Sequence, residues 1–239
     1  MIANTPVLAV VPARSRSKGI PDKNMQTLGG HTLIAHAGLT LQDCPSVDRA
    51  IISTDSSAYA EEGRAHGLDA PFLRPAELST DTAGAVETAI HAVNAAETYY
   101  GEFFGIVLIV EPTSPFRRPD DIEGSLKLLV DSGADSVVTV SRIDTKFHPH
   151  KVLKIERERL TFNDPAGADV KTRQSLVPLY YRNGACYALT RRCLLEQKVI
   201  FSTNTVPYVI DRFILNIDEP QELEIARYFL ENPSSSNSG

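Results

Sequence analysis

The sequence predicts a doubly wound α/β fold with a mostly parallel sheet, and two observations carry that reading. Up to Val140, short apolar runs alternate with segments of helical periodicity, the pattern of strands joined by crossover helices. The runs are continuously apolar, as in strands covered on both faces; GIVLIV at Gly105–Val110 is the most apolar and is placed at the sheet centre.

Val7–Val11 is the first strand, and Pro12, which has no N–H to donate, ends its ladder. The loop after it holds Arg14, Arg16, Lys18 and Lys23 within ten residues. Lys and Arg make up 24 of 239 residues, so a stretch of that length holds about one on average. Thr32–Asp43 sets Leu33, Ala37 and Leu41 on one helical face. Arg49–Thr54 is a second strand, and Ser57–His66 a helix closed by Gly67. After the connector Pro71–Leu78, Asp81 is the expected N-cap of a helix that turns Val86, Ile90 and Val93 to the sheet.

The central strand runs into Glu111–Arg117. Pro119 at the first helical position starts a helix that ends near Gly133, and Ser136–Val140 is the next strand. The alternation then breaks. Val152–Glu156 and Leu160–Asn163 read as a β-hairpin, followed by a loop without periodicity to about Leu179. Asn183–Thr190 and Val206–Ile210 read as strands around a short helix at Arg191–Gln197, and Phe213–Ile217 as a last strand. A final helix has Pro220 at its first position and is expected to bury Leu223, Ala226, Phe229 and Leu230. Residues 1–232 form one domain in which 144–180 is an insertion, and Pro233–Gly239 is a low-complexity, disordered tail.

A formal net charge of −6 argues against bulk nucleic-acid or anionic-membrane binding, so phosphate affinity has to come from a local cluster. Cys44, Cys186 and Cys193 are odd in number and widely spaced, which fits buried thiols in a reducing compartment. No signal peptide or membrane span is apparent, and the expected location is the cytoplasm.

In such a sheet the carboxyl ends of the strands share one edge, where ligands bind. That edge collects Arg14–Asn24, Asp55, Glu111–Arg117 and Asn216–Asp218. Cations beside isolated carboxylates point to phosphates with a divalent cation. Neither G-x-G-x-x-G nor a Walker loop is present, so side chains must do most of the gripping. His148-Pro149-His150 has no third ligand nearby and reads as a turn with a structural histidine, and no hydrolase triad order appears.

Pro12-Ala13-Arg14, Ser17-Lys18-Gly19-Ile20-Pro21, and Lys23-Asn24 resemble the N-terminal signature of the acylneuraminate cytidylyltransferases, the CMP-sialic acid synthetase family. The resemblance continues in order through Ser53-Thr54-Asp55, Phe72–Leu78, Pro112–Arg117, Arg173-Gln174 and Asn183-Gly184-Ala185. It implies a Rossmann-like three-layer α/β/α nucleotidyltransferase fold. The implied reaction joins CTP to the 2-hydroxyl of a nine-carbon 2-keto sugar acid, giving a CMP-sugar and pyrophosphate with Mg²⁺. By the same resemblance, Arg14, Lys18 and Asp218 are catalytic, and Ala13, Arg14, Ser17, Lys18, Lys23, Asn24 and Arg74 bind CTP, Arg74 at the cytosine end. Glu111, Lys151, Arg173, Asn183, Tyr187 and Phe201 meet the sugar acid, and Asp218 with Asn216 holds the metal. The 144–180 segment matches one exchanged between the chains of a homodimer.

Ser15 and Arg16 stand where many members have glycines, Glu111 where sialic acid enzymes usually have Gln, and Asn216 where the family has Asp. A carboxylate only accepts hydrogen bonds, so Glu111 points to an acceptor other than N-acetylneuraminate, such as a legionaminic-type or deaminated nonulosonate. A cytidylyltransferase for Kdo or another small acid, and a non-catalytic CTP-binding relative, are the competing readings.

Overall fold

Alternate residues of the first strand face different helices, which divides the core into two layers. The computed structural model describes residues 1–232; the tail Pro233–Gly239 and the side chain of Arg173 lie outside the described residues. In chain order the elements are β1 (Val7–Pro12), the short pair β2 (Thr27–Leu28) and β3 (His31–Thr32), α1 (Leu33–Gln42), β4 (Arg49–Ser53), α2 (Ser57–Ala65), α3 (Ala85–Tyr100) and β5 (Ile106–Ile109). Then follow α4 (Pro119–Ser132), β6 (Ser136–Arg142), the hairpin β7 (Leu153–Glu156) and β8 (Arg159–Phe162), β9 (Tyr180–Thr190), β10 (Thr205–Val209) and α5 (Pro220–Glu231).

The main sheet has six strands in the order β10-β6-β9-β5-β1-β4. Every strand but β9 runs the same way, and β9 lies antiparallel between β5 and β6. Val7, Ala9 and Val11 pack with Ala37 and Leu41 of α1 and with Ile122 and Leu126 of α4. Leu8 and Val10 pack on the other side with Ala89, Ala92, Val93 and Ala96 of α3. The result is the expected three-layer α/β/α arrangement, in which each buried Val, Leu or Ile contributes about 1.5–3 kcal/mol and the alanines less. No described helix is long and apolar enough to cross a membrane.

Local signals set several boundaries as expected. Thr32 caps α1 by accepting the Ala35 amide at 3.0 Å, and Gly133 ends α4 at φ 63°. Others differ. The N-cap of α3 is Gly84, and Asp81 lies in the preceding turn with its carboxylate committed to cations. The α3 face on the sheet is mainly the alanine one; Val86 and Ile90 are half-buried, because small side chains let the helix approach more closely. Arg192–Glu196 is a single π-helical turn. Phe213–Ile217 is not a strand: it is a connector whose Ile214 and Ile217 plug small cores, and the Ile217 amide donates to the Thr113 carbonyl. In α5, Leu223 and Ala226 are buried, whereas Phe229 stacks on Phe213 and Leu230 stays exposed.

The carboxyl ends of β1, β4, β5 and β6 therefore share an edge with the amino end of β9. The β6–β9 register shifts between Val138 and Val140. There the Thr139 hydroxyl replaces a backbone partner, donating to the Cys186 carbonyl and accepting its amide. That irregularity brings Asn183-Gly184-Ala185 against the chain leaving β5.

Candidate active site

The loop after β1 is pinned from below before it presents any cation. The Ser15 amide donates to Asp55 Oδ1 and its hydroxyl to Asp55 Oδ2, at 2.8 and 2.9 Å. Burial by itself would raise the Asp55 carboxyl, but these two bonds and nearby Arg74 outweigh it and hold the group below its ordinary value. Ser15 thus supplies an anchor that a glycine lacks. The Tyr59 hydroxyl, kept protonated by burial and by Asp22, donates to Asp22 Oδ1. Buried Asn24 donates to the Arg14 carbonyl at 3.3 Å. Ala13 is fully buried with its amide on the Ser53 carbonyl, so it sets where the loop starts.

Three cations of this loop, Arg14, Lys18 and Lys23, already have anionic partners. Arg14 Nη1 lies 2.9 Å from Asp81 Oδ1 and donates to the Thr80 carbonyl at 2.8 Å, and Lys18 Nζ lies 3.0 Å from Asp81 Oδ2. Lys23 Nζ reaches Asp218 Oδ1 at 2.7 Å. Arg16 turns the other way, toward a recess it shares with Asp55, Arg74 and Asp81.

Across the edge, the chain leaving β5 is held by Arg117. Its fully buried guanidinium donates to the Ala185 carbonyl at 2.9 Å and to the Glu111 carbonyl, and burial pushes its pKa down to about 10. Burial raises the Glu111 carboxyl above the ordinary value, opposed by a hydrogen bond from Tyr187 and by Arg117. Gly184 sits at φ 71°, and a Cβ on it would lie 2.6 Å from Glu111 Oε2, so two requirements select glycine there. Ser114 donates to the Asn183 carbonyl at 2.7 Å. Asn216 turns its amide nitrogen to Asp218 Oδ2 at 3.0 Å and its oxygen to the Ser114 hydroxyl at 3.4 Å, so it supports Asp218. Gly19 lies over the Asp218 carbonyl, where a Cβ would come within 2.4 Å.

These walls enclose a cavity of about 410 Å³, lined by Arg14, Ser17, Lys18, Lys23, Asn24, Glu111 and Asp218 among others. A second cavity of about 260 Å³ shares Pro12, Arg14 and Glu111 with the first. It is also lined by Val10 and Ile109 of β1 and β5, by the small residues Ala83, Ala85 and Ala89, and by Arg74, Arg182 and Tyr187. Arg74 Nε donates to Ser79 at 3.2 Å, while its buried Nη2 has no hydrogen-bond partner.

The remaining expected residues are placed unevenly. Tyr187 lines the second cavity. Phe201 is exposed under the Arg182 guanidinium, 5.5 Å from ring centre to carbon. The Asn183 side chain is fully buried, donating to Ser141 at 3.0 Å and accepting the Ala185 amide at 3.1 Å, which shapes the bend at Gly184. Lys151 sits in the turn before β7, its amide on the His148 carbonyl, and lines neither cavity. The Arg173 side chain is outside the described residues. His148 and His150 meet edge to face with ring centres 4.8 Å apart, and His150 pairs with Asp164. Asp81 and Arg182 were not singled out as site residues from sequence; Arg182, directly before the Asn183-Gly184-Ala185 motif, carried the stronger signal.

Among the described residues no group of three His, Cys, Asp or Glu side chains is arranged to hold a metal alone. Asp218 lines the first cavity, and one carboxylate completed by phosphate oxygens suits a hard divalent cation. The donor set fits Mg²⁺ on that condition.

Known proteins point the same way. The CMP-N,N'-diacetyllegionaminic acid synthase of Legionella pneumophila is 31% identical over 227 residues, which is 94% of this chain and 96% of that protein. The N-acylneuraminate cytidylyltransferase of Streptococcus agalactiae serotype V is 32% identical over 88% of this chain, which spans 50% of that longer relative. The pseudaminic acid cytidylyltransferase of Campylobacter jejuni serotype O:2 is 24% identical over 92% of this chain and 94% of its own. A solved CMP:2-keto-3-deoxy-manno-octonic acid synthetase complexed with CTP superposes with a TM-score of 0.72 over 96% of this chain and 100% of that one; at 16% identity this shows the nucleotidyltransferase fold. Residues 8–232 match the cytidylyltransferase family, and the chain belongs to it.

Proposed function

We propose that the chain transfers CMP from CTP to a nine-carbon 2-keto sugar acid and releases pyrophosphate. The observation that carries this reading is the pair of joined cavities, one lined by Arg14, Lys18 and Lys23 with Glu111 and Asp218, the other by Arg74 and Tyr187. Similarity over nearly the whole length to synthases of CMP-nonulosonates supports the acceptor class.

The sugar 2-hydroxyl oxygen attacks the α-phosphorus and gives up its proton to solvent, while the bond from that phosphorus to the α–β bridging oxygen breaks and pyrophosphate leaves with the electron pair. Arg14, Ser17 and Lys18 hold the triphosphate and stabilise charge on the leaving group. Arg74 reads the base: its free Nη2 donor matches the O2 and N3 acceptors of cytosine, whereas uracil presents an N3–H there. Glu111 and Tyr187 meet the sugar, and Asp218, braced by Lys23 and Asn216, would hold a divalent cation, which would supply charge neutralisation on the phosphates.

The insertion supports a homodimer. Leu153, Ile155, Leu160 and Phe162 of the hairpin are exposed in one chain, and an isolated two-stranded hairpin is marginal in water. By the family resemblance, part of each site would then come from the partner chain.

Incubation with CTP, Mg²⁺ and a panel of free sugar acids tests the assignment. Pyrophosphate release with nine-carbon acids supports it. Release only with eight-carbon acids moves the acceptor to that class, and CTP binding without release from any acid leaves a binding protein.

A further inference from the structure

We infer that Asp81 is an internal competitor of the triphosphate: its carboxylate holds Arg14 and Lys18 at the nitrogens that phosphate needs, and ligand binding proceeds by exchange. The inference rests on the assignment of that cavity to a triphosphate. Each Asp81 oxygen takes a different cation, Oδ1 on Arg14 at 2.9 Å and Oδ2 on Lys18 at 3.0 Å, and the neighbouring Thr80 carbonyl takes Arg14 at 2.8 Å. Three oxygens on two cations reproduce the donor-acceptor pattern of a phosphoryl group.

Among the described residues, Arg14 and Lys18 are the side chains paired with Asp81. Asp81 does not cap α3, which starts at Gly84 without a side-chain cap bond. The turn around it is closed by a long bond, 3.3 Å, from the Ala83 amide to the Thr80 carbonyl. The pair is also easy to open. The Asp81 side chain is 41% exposed and that of Lys18 78%, a setting in which ion pairs contribute little and exchange readily.

A triphosphate has several charged oxygens and a larger negative charge, so it wins both cations from one carboxylate. Once it is bound, an Asp81 left in place would face like charge, and the turn has to carry it away. Holding Arg14 and Lys18 together beforehand limits their collapse onto Glu111 or Asp218 on the opposite wall. It also weakens binding of ligands with few phosphate oxygens.

Calorimetric titration of the full chain with inorganic tripolyphosphate, CTP and cytidine, in the presence of EDTA, tests this on the wild type, Asp81→Asn and Asp81→Glu. Asp81→Asn should bind tripolyphosphate and CTP about threefold to tenfold more tightly, from the loss of two exposed pairs. Asp81→Glu should stay near wild type, and cytidine affinity should not move in either variant. Unchanged or weaker tripolyphosphate binding by Asp81→Asn overturns the inference, because Asp81 would then position the cations for ligand. Tripolyphosphate binding by neither protein overturns it as well. If CTP fails to bind while tripolyphosphate follows the expected order, the competitor role stands and the nucleotide assignment falls.

Discussion

Lys23 Nζ and Asp218 Oδ1 meet at 2.7 Å across 195 residues of chain, joining the opening loop to the connector before α5. The other Asp218 oxygen accepts the Asn216 amide at 3.0 Å, and the Asp218 backbone amide donates to Glu222 at 2.7 Å. Both carboxylate oxygens are therefore held, and the backbone beneath them is fixed, at the cavity lined by Arg14, Lys18 and Lys23. It follows that Asn216→Asp, which swaps a donor for a second carboxylate beside Asp218, should strengthen Mg²⁺ binding, lowering the Mg²⁺ concentration for half-maximal activity severalfold. An unchanged Mg²⁺ titration would place residue 216 outside the coordination shell.

Arg14 is expected to matter for turnover. Arg14→Ala removes a guanidinium from the leaving-group side of the reaction, so kcat should fall on the order of 10²-fold or more. A change confined to the KM for the sugar acid would contradict its place on the triphosphate.

Ser15→Gly deletes the hydroxyl that donates to Asp55 and loosens the loop anchor. The cost should be about 0.5–1.5 kcal/mol of stability, visible in urea unfolding, with a higher KM for CTP. The pH dependence follows from the depressed Asp55 pKa. The stability it confers is present above the unfolded-state value near 3.8 and is lost as pH falls through the lower folded value. Ser15→Gly should therefore lose less stability than wild type on acidification below that point.

Glu111 behaves in the opposite sense. Burial raises its folded pKa above 4.5, so the charged form costs stability at neutral pH, and that cost fades as pH falls through the folded value toward 4.5. Glu111→Gln should raise Tm at pH 7 more than at pH 4. It should also move acceptor preference toward sugars bearing an acyl carbonyl, which an amide can donate to and a carboxylate cannot. Equal Tm shifts at both pH values would mean that Glu111 is not the desolvated group.

The hairpin provides a test of assembly. Ile155 is 74% exposed and Leu160 68%, and if a second copy covers them, Ile155→Asp with Leu160→Lys should convert a dimer to a monomer in light scattering. A wild type that is already monomeric would remove the proposed dimer.

The frame of the molecule was legible because it depends on local chemistry. Apolar runs, Thr32 and Gly133 as helix ends, and Pro119 at a helix start act through neighbours in sequence. The errors fell where long-range packing overrode local preference. Asp81 has the chemistry of a cap, yet two cations from the first loop claimed its carboxylate. Phe213–Ile217 has a strand-like apolar pattern, but no sheet edge is offered to it and its side chains fill gaps beside α5 and β9. Asn183 lies in a family motif, and its side chain is spent on Ser141 and the Ala185 amide.

By itself, the sequence determined the layered α/β architecture, the basic loop after the first strand and the family resemblance, since each is written in residues close along the chain or in ordered motifs. Only the tertiary structure decided the partners of those charges: Asp55 beneath Ser15, Asp81 on Arg14 and Lys18, Asp218 on Lys23, and Glu111 buried against Tyr187. Those pairings join residues from distant segments, and which side chain satisfies which charge depends on the distances and burial that the packed sheet edge imposes.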